Sequence, residues 1–534
     1  MDDTNADANP GAQSPRGNRN TKSNPSRSRN GGLSAIAVWA GFLAMCVGMF
    51  MAILDIQIVV TSLPAIQQAL DIAPEQMSWV QTSYLIAEVI AIALTGLLTR
   101  TLSIRWLFLG ALLVFTAASF ACAMADGFWP LIAARAVQGL AGGCLIPLVF
   151  SSVFLLIDEK HQSIATTIAG GLAVLAPTLG PTVGGYITQQ YDWPWLFLVN
   201  IAPGLLALMI GFIVLPRQSL DFKQLLRIDI LTVLAICTAL VALEIGLKNA
   251  PTQGWLSSAV LPVLILSLIS AAFFVRRSLK SPQPILDLKL LKSPNMAVAC
   301  GISFVFGIGL FSSIYLMCVF LGLVGLMEPL EIGLIVIVTG IAQLLVAPVV
   351  VQLELRLDAR LLTAAGLIIF GTGLLMSTTQ TRQTGFDEMF WPQIVRGIGI
   401  MLCLIPPTRL ALNHLAEAQV PDGSALFNLM RNLGGAIGIA VVDTILWVQT
   451  PIYAEAFGQR LAARDMEAVS IVGIPAGMLP PPGTAPTVQE IALARPLVER
   501  AGMTEAFNDA WLAVGVLTLL AVVLLPFARS TRPA

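Results

Sequence analysis

Apolar runs of about twenty residues, separated by short polar breaks, recur from residue 36 to residue 528. A helix crosses a ~30 Å hydrocarbon core in about 20 apolar residues. By that measure the runs fall at 36–60, 78–98, 106–125, 128–151, 164–187, 195–215 and 228–246, then at 256–275, 296–320, 331–352, 361–378, 389–408, 424–448 and 508–528. The pattern predicts fourteen transmembrane helices and an all-α polytopic membrane protein. Residues 1–33 are rich in Asn, Ser, Pro, Gly and Arg and lack an apolar centre. They predict a disordered tail with no cleaved signal, so the first span is expected to stay in the chain.

Polar positions between the runs set the orientation. If both ends lie in the cytoplasm, the inner segments hold more than two thirds of the 30 lysines and arginines, as the positive-inside rule requires. The outer segment 449–507 is the long one. It is expected to be a surface-exposed, mobile loop with two short amphipathic helices flanking the Pro/Gly-rich stretch MLPPPGTAPT, and a docking role for an external partner is a second reading.

A repeat divides the chain. Phe128-Trp129-Pro130 leads through Arg135 to Cys144-Leu145-Ile146-Pro147, and Phe390-Trp391-Pro392 leads through Arg396 to Cys403-Leu404-Ile405-Pro406. Parallel half-repeats of six spans are the expected architecture: a six-helix bundle over 34–216, an inserted two-helix hairpin with its linkers over 217–293, and a second six-helix bundle over 294–530.

Composition agrees, with 56% hydrophobic and 11% charged residues. A net charge of −1 gives no basic field for nucleic acid. The seven cysteines lie inside apolar runs without metal-like spacing, so no metal, cofactor or disulfide framework is expected. No phosphate-cradling GxxxxGK[ST], HExxH or nucleophile elbow occurs, which argues against an ATP-driven pump and the common hydrolases.

Charges inside apolar runs carry the candidate chemistry, because each costs roughly 2.5 to 3.5 kcal/mol on insertion scales. Asp55, Glu88 and Arg135 fall at one depth, roughly 10 to 15 Å below the outer surface. If they share a cavity, Arg135 holds a carboxylate ionised while desolvation favours its protonation, a balance suited to loading and releasing a proton. A static ion pair that fixes packing is the alternative. Asp443 is a candidate in the second half, with an acid reaching the outer interface as the alternative. Glu244 and Glu331 are expected at span ends, and Gly434 and Gly438 are expected to serve helix packing.

The span AGGLAVLAPTLGPTVGGYI, 169–187, carries Pro177, Gly180, Pro181, Gly184 and Gly185. Two prolines in a bilayer require neighbours or a cavity to satisfy the freed carbonyls. A bent gating helix and a plain small-residue packing helix are both open on these residues alone.

These motifs resemble the major facilitator superfamily, and within it the fourteen-span drug:proton antiporters of the EmrB/QacA type. Leu54-Asp55-Ile56-Gln57-Ile58-Val59 through Leu63-Pro64 is similar to the first-span LDxxIV…LP motif, and Arg135-Ala-Val-Gln138-Gly139 to RxxQG. The resemblance assigns the acidic role to Asp55 and proton coupling to Arg135. Residues 176–185 resemble the antiporter motif, which implies gating, and Trp193-Pro-Trp195-Leu-Phe197-Leu-Val-Asn200 resembles the stretch that follows it. The inner loop departs from the family pattern GxLaDrxGrk: Arg100 stands in place of aspartate and Ser103 in place of glycine.

The resemblance implies proton-coupled export of amphipathic small molecules from the cytoplasmic (inner) membrane by alternating access. Asp55, Glu88, Arg135 and Asp443 would then serve coupling and 177–185 gating. The expected partners are protons, a small-molecule substrate and the lipid bilayer, with room for a periplasmic adaptor and outer-membrane channel. A permease for one metabolite is the alternative within transport, and a polytopic membrane enzyme the alternative outside it.

Overall fold

The computed structural model describes residues 35–71, 77, 79–217, 229–282, 284–474 and 488–529. The tail 1–33 and the stretch MLPPPGTAPT lie outside the described residues. Helices run in chain order: α1 Ala35–Ala69, α2 Trp79–Ala123, α3 Phe128–Leu156, α4 Gln162–Gln190, the short α5 Trp195–Leu198, α6 Ile201–Val214, α7 Ile230–Gln253 and α8 Leu261–Lys280. Then follow α9 Pro294–Leu323, α10 Pro329–Glu354, α11 Ala359–Leu375, α12 Phe386–Leu412, α13 Val420–Ala462, α14 Met466–Val472 and α15 Val488–Leu520.

Among the described residues, twelve segments are long and apolar enough to cross a bilayer. One of them, α2, is two crossings joined at Ser103, where the backbone leaves helical geometry, and the 17-residue α11 is a further short crossing. The set is consistent with fourteen. An even number puts both ends on one face, the tail face, opposite the far face.

Helices α1 to α6 pack as one half, and α9 to α13 with α15 as the other. The halves meet along two seams, α4 on α10 and α12, and α13 on α2 and α3. The α7–α8 hairpin rests on α13 and α2, pinned internally by Ser267 Oγ donating to Ala239 O at 2.7 Å.

Ser103 deserves a physical account. Its φ of 68° and ψ of 162° lie in a region that only glycine occupies without strain, and its buried hydroxyl has no partner among the described residues. The loop pattern that this stretch resembles has glycine here, so the serine is a local misfit. Ser103→Gly is expected to stabilise the protein by about 1–2 kcal/mol, the relief of strain less glycine's entropy. Thermal unfolding in detergent checks this, and a lower midpoint would mean that the hydroxyl does a job the geometry does not show.

Arg100 answers the other departure. It pairs with Asp422 in the first turn of α13 and donates to Pro284 O at 3.0 Å. The inverted charge on the loop is thus matched by an acid on the opposite half. Nearby on the tail face, Ser163 Oγ of α4 donates to Glu354 Oε2 of α10 at 2.5 Å, and Ser424 Oγ of α13 to Pro147 O of α3 at 2.7 Å. At the far face, Gln189 Nε2 donates to Glu328 Oε2 at 3.2 Å. The α4–α10 seam is therefore closed from end to end.

The long outer loop is corrected. Much of 449–507 is not loop: α13 continues unbroken to Ala462, and α15 begins at Val488, ahead of its span. The two expected amphipathic helices are largely extensions of membrane helices, because apolar residues at helical spacing carry on past the bilayer edge. Phe457, Ala468, Val469, Val472, Ile474 and Ala501 form a small apolar core of their own there. Helix α7 runs past Glu244 to Gln253, and Glu331 lies at a helix start, in a capping box with Glu328. Gly434 and Gly438 pack as expected: a Cβ on them would meet the Phe304 backbone carbon at 2.8 Å and Ile308 Cα at 2.9 Å.

Candidate functional site

The N-terminal half closes around a buried acid. Asp55 of α1 forms an ion pair with Arg135 of α3, and both side chains are fully buried. Asp55 Oδ1 also accepts from Gln138 Nε2 at 3.0 Å and from Asn200 Nδ2 at 2.7 Å. Gln138 in turn donates to Ser119 Oγ at 2.8 Å. Arg135 has further acceptors in Gln138 Oε1 at 2.7 Å and Val80 O at 3.1 Å. Its guanidinium lies over the Tyr84 ring at 4.4 Å, and Tyr84 itself donates to Ala52 O at 2.9 Å.

Sequence explains how α3 reaches this position. Gly139, Gly142 and Gly143 face α2 so closely that a Cβ on Gly139 would meet Tyr84 Cα at 2.9 Å. Only glycine permits that approach, and it sets Arg135 against the α2 backbone.

The predicted charges divide. Asp55 and Arg135 are brought together. Glu88 is buried on α2 but makes no hydrogen bond or ion pair among the described residues; its charged surroundings are Glu244, Arg135, Arg431 and Asp55. Asp443 on α13 is half-buried and accepts from Tyr315 OH of α9 at 2.6 Å, in the other half of the molecule. Gln138, Asn200 and Ser119 were not expected as site residues. Their signal was present: amides and a hydroxyl inside apolar spans need partners.

Helix α4 holds Pro177, Gly180, Pro181, Gly184 and Gly185 in one continuous helix, all five buried. Gly180 faces α1, where a Cβ would meet the Gln57 backbone at 3.2 Å. Across the seam the close approach is made by glycines of α10. A Cβ on Gly333 would meet Thr182 Cα at 2.5 Å, and one on Gly340 would meet Leu175 and Thr178 at 3.0 Å. Helix α4 thus touches the acid-bearing helix on one side and the opposite half on the other.

The sequence model described as Major Facilitator Superfamily matches residues 45–439. The chain belongs to the major facilitator superfamily. It is a transporter and not an enzyme. Among its relatives is the colistin resistance protein EmrB of Acinetobacter baumannii, 34% identical over 81% of this chain and 84% of the relative. The multidrug export protein EmrB of Escherichia coli is 28% identical over 76% of this chain and 79% of the relative. In fold, the chain is similar to the proton:xylose symporter XylE at a TM-score of 0.57 and 12% identity, over 93% of this chain and 97% of that one.

Proposed function

We propose that the protein is a proton-driven exporter of amphipathic small molecules, an antiporter of the cytoplasmic membrane that works by alternating access. The observation that carries this is the Asp55–Arg135 pair, sealed within one half yet linked to the seam. A proton arriving on Asp55 removes the negative charge that Arg135 faces. The guanidinium keeps Gln138 Oε1 and Val80 O as acceptors, which eases but does not cancel the cost of a buried charge left without its counter-ion. The change is felt along α1, where Gln57 meets Gly180, and through α4 at Thr178 and Thr182, which meet Gly340 and Gly333. Pro177 and Pro181 lower the stiffness of α4 between those contacts.

The tail face is taken as cytoplasmic because the basic residues concentrate there. Export through an adaptor and outer-membrane channel fits the kinship with EmrB proteins. The domain limits 34–216, 217–293 and 294–530 follow the two halves and the hairpin between them. Energetically one proton suffices for a modest gradient: about 2.3 kcal/mol per ~100 mV against about 1.4 kcal/mol per tenfold gradient sustains a few tens-fold.

Inverted vesicles with an acidic lumen test the reading. A panel of anionic, neutral and cationic amphiphiles is added, and at least one is expected to trigger proton release that depends on the protein. Protons and substrate moving the same way would favour the permease reading instead. Glu88, buried without a hydrogen bond or ion pair among the described residues, is assigned a second proton-carrying role. Glu88→Gln is expected to lower substrate-triggered proton release about tenfold with an unchanged thermal midpoint, since there is no ion pair to lose. Full release in that variant would remove Glu88 from the scheme.

A further inference from the structure

The C-terminal half holds the repeat partner of Arg135, and it is differently equipped. Arg396 on α12 is 2% exposed. No ion pair reaches it among the described residues, and its Nε and Nη1 have no hydrogen-bond partner. Its remaining contact of that kind is Nη2 donating to Met317 Sδ of α9 at 3.3 Å, while the guanidinium lies over the Trp511 ring at 4.9 Å.

Met317 occupies a telling place. Counting forward from Asp55 by the separation of Phe128 and Phe390 reaches Met317 itself. The two halves thus build the same contact, arginine of the fourth helix on a residue of the first, with a carboxylate in one half and a thioether in the other. A thioether is a weak acceptor and cannot neutralise a guanidinium.

Two further amides share the deficit. Gln343 of α10, 1% exposed, has neither its nitrogen nor its oxygen bonded, and Gln393, fully buried, keeps an unpartnered Nε2 while its Oε1 accepts from Thr339 at 2.9 Å. Leaving such groups unsatisfied in a low-dielectric interior is costly unless something binds them.

A cavity joins Arg396, Met317 and Gln343, with Gln393 behind its Thr339 wall. Thr178, Met317, Thr339, Gln343 and Arg396 line it, with Val336 and other apolar side chains completing the wall. Thr178 and Val174 belong to α4 and the others to the opposite half, so the cavity sits on the seam itself. It offers only about 10 Å³ to water-sized occupants, room for about one water; a larger molecule enters only when α4 parts from α10.

We propose that this is the substrate's anion subsite: a carboxylate on an amphipathic molecule docks on Arg396 Nε and Nη1 with the Gln343 amide, and its apolar body lies against the seam. The transported molecule supplies the charge that Asp55, when ionised, supplies to Arg135. The flexible, polarisable Met317 side chain yields to ligands of different shape. The proposal rests on the exporter reading and adds the substrate class to it.

Binding to the purified full-length protein in detergent, with no proton gradient, tests it. The probes are 1-naphthoate, its neutral amide 1-naphthamide, and cationic 1-naphthylmethylamine, each titrated calorimetrically. Naphthoate is expected to bind at least about tenfold tighter than the amide, and Arg396→Gln should erase that preference. Met317→Asp provides a second route: an internal carboxylate should satisfy Arg396, raise the thermal midpoint and abolish the preference for the anion. Equal affinity for acid and amide in the wild type overturns the proposal, as does a preference that survives in both variants. A wild type that prefers naphthoate but exchanges no protons in vesicles supports the subsite and overturns the exporter reading. One that exchanges protons without preferring the anion does the reverse.

Discussion

Asp55→Asn is expected to abolish proton-coupled transport, with substrate-triggered proton release falling at least about a hundredfold, or ~2.7 kcal/mol. The substitution keeps size and shape, so Gln138 and Asn200 can still bond the amide oxygen. What it removes is the site of the proton and the charge opposite Arg135. Losing one member of a buried pair costs about 3–5 kcal/mol of stability, here reduced by the acceptors Gln138 Oε1 and Val80 O that Arg135 retains. A lower thermal midpoint in the single variant would not distinguish a structural from a functional role. The neutral double variant Asp55→Asn with Arg135→Gln does so: it removes the stranded charge and should recover stability while transport stays absent. Proton-coupled transport in that double variant would mean that the pair is only a packing device.

The second large effect concerns the seam. Gly333→Leu should leave the protein folded and inserted yet reduce turnover at least about a hundredfold. The glycine lies so near Thr182 of α4 that even a single Cβ would meet its Cα at 2.5 Å. A leucine there keeps the far ends of α4 and α10 apart, because backbone cannot yield as a flexible side chain can. Alternating access needs both closures, so a molecule held open on one face binds without completing a cycle. Monodisperse elution in detergent and labelling of engineered far-face cysteines give the two readouts. Wild-type transport would show that this approach is not part of the cycle.

Much of this architecture was legible in the sequence because a bilayer admits few solutions. Backbone groups must be satisfied internally, so about twenty apolar residues between polar breaks can hardly be anything but a crossing helix. The same logic flagged Asp55 and Arg135, whose burial needed a reason. Partnership was harder to read. Depth placed Glu88 beside them, and it does feel Arg135 and Asp55, but Glu244 of α7 and Arg431 of α13 act on it as well. Asn200 was quoted within its motif without its role, because the fold that carries it to Asp55 is tertiary. The seam glycines Gly333 and Gly340 were missed since single glycines in a span look alike, and only the opposing chain tells which one is touched. The outer segment misled for a local reason: its polar residues suggested a loop, while α13 simply keeps winding beyond the membrane edge.

That continuity has a mechanical consequence. Helix α13 spans 43 residues, a rod of about 65 Å at 1.5 Å per residue. Asp422 is at one end in the lock with Arg100, and Phe457 is at the other, in the outer core with α14 and α15. Pro451 softens one turn toward the outer end, but the long stretch between Asp422 and that turn behaves as a lever. Releasing its inner end swings the outer end the opposite way, so the state of a cytoplasmic latch is written into the position of a structure standing clear of the membrane on the other side.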